Sequence, residues 1–172
     1  GIYADSATSK IVAKLEKNAS PVKPIKRAEY LKKLSREHHH GLLLAWKIKT
    51  GFSKKIPAER IKKYTDWFYS AHLKPHFQEE EKYVFPILGN DNILIQKAVQ
   101  EHQQLAQLFN ETDNLEMALK QIAIDLVNHI RFEERILFNQ IQAKATPEEI
   151  TMIEALQTSE SFIDNTTDPF WN

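Results

Sequence analysis

The sequence predicts an all-α fold: an antiparallel up-down four-helix bundle with a short N-terminal appendage and a short C-terminal fifth helix. Three observations predict it. The chain has only 4 Gly in 172 residues, and no alternation of apolar and polar residues runs long enough for a strand. Long segments instead carry apolar residues at three- and four-residue steps, separated by short breaks. Finally, one motif occurs twice, as His76-Phe-Gln-Glu-Glu80-Glu81 and His129-Ile-Arg-Phe-Glu133-Glu134, with Phe85 and Phe138 nine residues after each His. Each copy lies downstream of a Glu-His pair, Glu37-His38 or Glu101-His102, so the chain reads as a duplicated helix pair.

The elements follow in order. A helix from Ile11 to Lys17 gives way to Asn18-Ala-Ser-Pro21-Val-Lys-Pro24, where two prolines demand an extended linker, and residues 1–26 form the appendage. The bundle occupies residues 27–144. Its first helix runs from Arg27 to Thr50 with Gly51 as C-cap, and the second starts near Pro57, kinks at Pro75 and ends near Pro86-Ile-Leu-Gly89. Asn90 or Asp91 caps the third, which reaches Asn110, and the fourth spans Asn114 to Lys144. In the final segment, residues 145–172, Thr146-Pro-Glu-Glu149 forms a capping box opening the fifth helix to about Gln157. The tail from Ser159, with its Pro169-Phe-Trp171 ending, folds back onto the bundle.

Composition narrows the function. Lys plus Arg and Asp plus Glu number 23 each, so no one-signed field draws the chain to nucleic acid or an anionic membrane. With no cysteine, any metal takes nitrogen and oxygen ligands. No apolar stretch approaches the roughly 18 residues of a membrane span. The expectation is a soluble, cytoplasmic protein, with Gly1 leaving room for an upstream segment removed earlier.

A His four residues before a Glu puts both side chains on one helix face, about 5–6 Å apart at Cβ. On a solvated face such a pair contributes a few tenths of a kcal/mol and no chemistry. Two copies flanked by Phe77, Val84 and Ile87, or by Ile130, Ile136 and Leu137, favour inward-facing metal ligands. His102 lies among Leu94, Ile95, Ala98, Val99, Leu105 and Phe109, again on an apolar stripe. The first helix offers three neighbours. His38 is central among Leu31, Leu34, Leu42 and Ala45, His39 is its rival on a flank with Leu43 and Trp46, and His40 falls on the polar side. His72 precedes His76 by one turn, and Asp125 stands at the matching position of the second half. Each is an additional ligand or, preferentially, a hydrogen-bond partner of a ligating imidazole or a rim residue. Glu79, Glu81 and Glu134 read as solvated surface, and Trp46, Trp67, Phe68, Phe77, Phe85, Phe109, Phe132 and Phe138 as core. The metal set is therefore His38, His76, Glu80, His102, His129 and Glu133, and no catalytic residue is assigned. Imidazole with carboxylate suits iron, manganese or zinc.

The order His38, His76-x-x-x-Glu80, His102, His129-x-x-x-Glu133 resembles the hemerythrin-like family of HHE cation-binding domains, from about Ala28 to Gln142. The resemblance implies a non-haem di-iron centre, two oxo- or hydroxo-bridged iron ions with Glu80 and Glu133 as bridges and the histidines as terminal ligands. Its implied partner is dioxygen, nitric oxide or peroxide, and its implied task the handling or sensing of dioxygen, nitric oxide or iron. Oxygen-carrying members have a further histidine one turn along the third helix, where this chain has Ala98 and Ala106 on either side of His102. That departure points away from simple reversible oxygen carriage, unless His72, His39 or water fills the place. The competing readings are a di-iron enzyme with peroxide- or oxygen-dependent activity, and a helical interaction module with a vestigial or zinc-filled site.

Overall fold

A computed structural model describes residues 6–19, 26–157 and 161–172, and those residues contain helices and no strand. The helices are α1 (Ser6–Ala19), α2 (Glu29–Ser53), α3 (58–87), α4 (Ile93–Phe109), α5 (115–144) and α6 (Pro147–Leu156). α1 begins earlier than the apolar pattern from Ile11 suggests, and it sets Val12 and Leu15 against the bundle. The linker with Pro21 and Pro24 lies largely outside the described residues, as do Ser159 and its neighbours.

α2, α3, α4 and α5 make the bundle, with α5 packed along both α2 and α4. α2 buries Leu31, Leu34, His38, Ala45 and Ile48, the three- and four-residue rhythm of one face. Leu42, expected on that stripe, is 39% exposed, and Gly41 and Leu44 take the inward places. Trp46 is 52% exposed and so is not core.

Gly51 is not a cap. α2 continues to Ser53, and the left-handed residue ending the turn is Lys55, at φ 60°. Gly51 instead allows close approach, because a Cβ there would meet Ile61 Cδ1 and Phe170 Cε2, each at 2.8 Å. The cap of α4 is likewise neither Asn90 nor Asp91. The turn after Gly89 closes with Asn92 N–H donating to the Gly89 carbonyl at 3.1 Å, and Asn92 Oδ1 then accepts from Leu94 N–H at 2.8 Å. The capping box at Thr146 forms as expected, its hydroxyl accepting from Glu149 N–H at 3.2 Å.

Three π turns interrupt the long helices, Tyr69–Leu73 and Glu80–Val84 in α3 and Glu133–Leu137 in α5. The first ends just ahead of Pro75, whose missing N–H leaves the α ladder one donor short, so the disruption expected at the proline is taken up as a π turn. The other two begin at Glu80 and Glu133 themselves.

The core divides in two. One apolar cluster gathers Leu44, Ile48, Ile61, Phe68, Leu105, Phe109, Ile122 and Leu126, and the other Leu31, Leu34, Val84, Phe85, Ile95, Ile136, Phe138 and Ile141. The histidines and glutamates of the repeated motifs lie between them along each helix. Across the first cluster runs the tail. Phe170 is buried, Arg60 makes two hydrogen bonds to Asp168 at 3.0 and 2.7 Å, and Lys47 Nζ donates to Tyr64 Oη at 2.7 Å and Asp164 Oδ2 at 2.6 Å. Tyr64 completes the latch by donating to Asp164 Oδ1 at 2.6 Å.

Burial opposes the Asp164 charge, but Lys47 and Tyr64 outweigh it and hold its pKa below the ordinary value. A depressed folded pKa contributes stability that is present above the unfolded value, roughly 3.9, and lost as pH falls through the folded one. Asp164→Asn should therefore lower Tm by about 2–4 °C at neutral pH. In paired melts that gap should hold down to about pH 5 and close in stronger acid, and a gap unchanged by acid would refute the latch.

Candidate metal centre

Six polar side chains meet in the layer between the two apolar clusters. His38 comes from α2, His76 and Glu80 from α3, His102 from α4, and His129 and Glu133 from α5; each is buried. They form two groups, His38, His76, Glu80 and Glu133, and Glu80, His102, His129 and Glu133, whose ligand atoms in each case lie within 4.8 Å of one another. Glu80 and Glu133 are common to both.

The arrangement has an approximate twofold order. His38 Nε2 lies 2.9 Å from Glu133 Oε1, and at the matching place His102 Nε2 lies 3.2 Å from Glu80 Oε1. His129 Nε2 approaches its own helix's Glu133 at 3.4 Å, as His76 Nε2 approaches Glu80 at 3.3 Å.

Each imidazole is also held from behind. His76 Nδ1 meets Glu37 Oε1 at 3.0 Å, and His129 Nδ1 meets Glu101 Oε1 at 2.8 Å. His38 Nδ1 meets Glu134 Oε2 at 2.8 Å, and His102 Nδ1 meets Glu81 Oε2 at 2.7 Å. The sequence reading of Glu81 and Glu134 as solvated surface holds for the exposure of Glu81, while Glu134 is half-buried, and it misses the imidazole that each of them holds. Ser35 Oγ additionally donates to Glu134 at 2.8 Å, and Lys97 bonds Glu101. The missed signal was in the repeat itself, where each ligating His or Glu of Glu37-His38, Glu80-Glu81, Glu101-His102 and Glu133-Glu134 has a further glutamate beside it. Glu79 lies apart and accepts from Lys33 at 2.8 Å.

The donor set fits a cation. A carboxylate at each Nδ1 makes that nitrogen the proton donor and turns the bare Nε2 lone pair inward. His102 Nε2 and His129 Nε2 then face each other at 3.1 Å, two acceptors that need a positive charge between them. His76 Nε2, both oxygens of Glu80, and Glu133 Oε2 have no hydrogen-bond partner although buried. When protons are the only cations, burial and the Glu133 charge push Glu80 up to about 8. Burial disfavours a charged His129, but Glu133 and Glu101 prevail and push it up to about 10. In metal-free protein, protons take up charge that a bound cation would supply.

The remaining sequence candidates lie outside the cluster. His39 is exposed. His72 is half-buried and packs against Trp67 and Phe162, with ring centroids 5.0 and 4.6 Å away, a rim position. Asp125 accepts from Gln121 at 2.8 Å on its own helix and holds no imidazole. His40, expected on the polar surface, is half-buried because Phe162 of the tail stacks on it at 3.8 Å.

The chain matches the Hemerythrin HHE cation binding domain over residues 31–141, which includes all six clustered residues and the four outer glutamates. The chain belongs to the hemerythrin family. No curated protein and no solved structure matches it. As a hemerythrin HHE domain it carries ten His and Glu side chains in one connected layer, with the tail added from outside the matched segment.

Outer carboxylates that orient ligating imidazoles are worth about 10–100-fold in metal affinity. In chelator competition, Glu134→Gln and Glu81→Gln should each release metal with a loss in that range, while Glu79→Gln retains it like the parent. Equal retention in all three would remove the outer carboxylates from the account.

Proposed function

We propose that the protein is a non-haem di-iron protein that handles or senses dioxygen, nitric oxide or iron at this centre. The observation carrying the reading is the pair of His2Glu2 groups sharing Glu80 and Glu133, because two cations held there would satisfy the orphaned acceptors of His76, Glu80 and Glu133 at once. His38 and His76 would hold one iron, and His102 and His129 the other. Iron of this ligation supplies a one- or two-electron couple able to bind and reduce small oxygen and nitrogen species. The protein contributes imidazoles held by outer carboxylates, two buried carboxylates common to both groups, and apolar clusters on either side of the layer. Nitrogen and oxygen ligands also accept zinc or manganese, and redox activity separates those fillings from iron.

Anaerobic reconstitution with ferrous iron should leave two irons per chain by mass spectrometry, and exposure to air should generate a visible absorption that iron-free protein lacks. Iron should also raise Tm, as any ligand of the native state does. Glu80→Ala and Glu133→Ala should each lose both irons, since each carboxylate serves both groups. A metal content near zero with identical melting in the presence and absence of iron would instead favour a vestigial helical module.

A further inference from the structure

The two halves of the centre are alike in ligands and in burial and unlike in the cover laid over them. Over His102, Phe77 stacks at 3.8 Å with 13° between the ring planes, and Phe85 adds cover at 5.4 Å. Over His38, Phe138 matches Phe85 at 5.4 Å, but the repeat places Ile130 where Phe77 stands in the first half. Three residues after His102 is Leu105, and three after His38 is Gly41. Gly41 lets Ile130 pack close against its helix, since a Cβ there would meet Ile130 Cδ1 at 2.8 Å, and beside this smaller cover lies a cleft of about 630 Å³ that reaches His38, His76, Gly41 and Ile130. Ser161 and Phe162, from the tail beyond the family-matched segment, complete its wall.

The cleft is too large for a diatomic molecule alone. A molecule about the size of water takes up roughly 30 Å³, and clefts of roughly 300–1,000 Å³ hold small organic molecules. Its wall has two kinds of surface. Lys33 and Arg36 contribute positive charge, and the one carboxylate among the lining residues, Glu37, is engaged by His76 Nδ1 at 3.0 Å and by Lys33 at 3.6 Å. Lys33 is further shared with Glu79, so the exposed Arg36 is the cation with charge to spare. Phe68, Leu73, Ile130 and Phe162 supply the apolar side.

We propose that this cleft binds a small organic carboxylate, its anionic end held by Arg36 with Lys33 and its apolar body lying against Phe162, Phe68 and Ile130, beside the His38 and His76 half of the centre. The proposal rests on the di-iron reading for what becomes of the ligand, though not for its binding.

Benzoate serves as the probe, in isothermal titration of the whole chain, iron-loaded and metal-free. One benzoate should bind per chain, with benzamide and inorganic phosphate failing to bind over the same concentrations. Arg36→Gln should weaken benzoate about tenfold, the loss of one charge-assisted hydrogen bond, while retaining two irons per chain. Phe162→Ala should weaken it with Arg36 intact. Binding that survives Arg36→Gln unchanged, or that benzamide or phosphate equals, overturns the proposal, as does iron-loaded protein that ignores benzoate. Protein that binds benzoate but takes up no iron would defeat the di-iron reading and leave the cleft assignment standing.

Discussion

The constraint on which the rest of the structure depends is a polar layer across the middle of the core. Four imidazoles and two carboxylates, all buried, divide the apolar interior into two clusters. Isolated buried charges cost several kcal/mol each even after relaxation, so such a layer persists only where each group has a compensating partner. The outer glutamates compensate the Nδ1 side of every imidazole. They also commit the Nε2 side to accepting, which leaves inward-facing acceptors for a cation to satisfy. The apolar clusters flanking the layer supply the burial that holds four helices around it, and their dryness strengthens each electrostatic contact within it.

Much of this was legible in the sequence, for a definite reason. Ligating residues of a bundle must occupy the inward stripe, and that stripe announces itself by periodicity, which put His38 ahead of its rival His39 without coordinates. The duplicated motif then placed His102. Periodicity speaks only about a residue's own helix, however. Glu81 and Glu134 lie on flanks that keep some contact with solvent and become hydrogen-bond partners only because another helix presents an imidazole to them. His40 misled in the same way, since the half-burial of its ring comes from Phe162, more than a hundred residues along the chain. Leu42 and Trp46 show the converse: apolar residues that a stripe invites inward stay exposed when Gly41 and Leu44 fill the inward places.

The π turns were the least legible feature, because an i to i+5 hydrogen bond has no residue signature of its own. Yet they settle where the aromatic cover falls. At about 100° per residue, a side chain nine positions after another points to the opposite face of a regular α-helix. Phe85 and Phe138 stand nine after His76 and His129 and nonetheless stack over His102 and His38 in the same layer. The extra residue inserted at Glu80 and at Glu133 changes the phase of all that follows, carrying each phenyl ring back toward the centre. Both irregularities begin at the shared carboxylates, so one backbone feature serves the ligand and its cover together.

The outer hydrogen bonds further tie the halves into one unit. Glu37 and Glu101 each orient an imidazole of their own half, on His76 and His129, whereas Glu81 and Glu134 cross over to His102 and His38. A half-site cannot be completed by its own helix pair, because one of its two histidines is always held by the other pair. The shared carboxylates impose the same dependence from the inside. Assembly of either cation position therefore requires all four helices in register, and the duplicated helix pair works only as a closed bundle. What symmetry leaves unequal is the approach: Gly41 and Ile130 on one side, Leu105 and Phe77 on the other. Two like ligand sets therefore lie under unlike covers, with Phe77 stacked on His102 at 3.8 Å on one flank and the cleft lined by His38, His76 and Ile130 on the other.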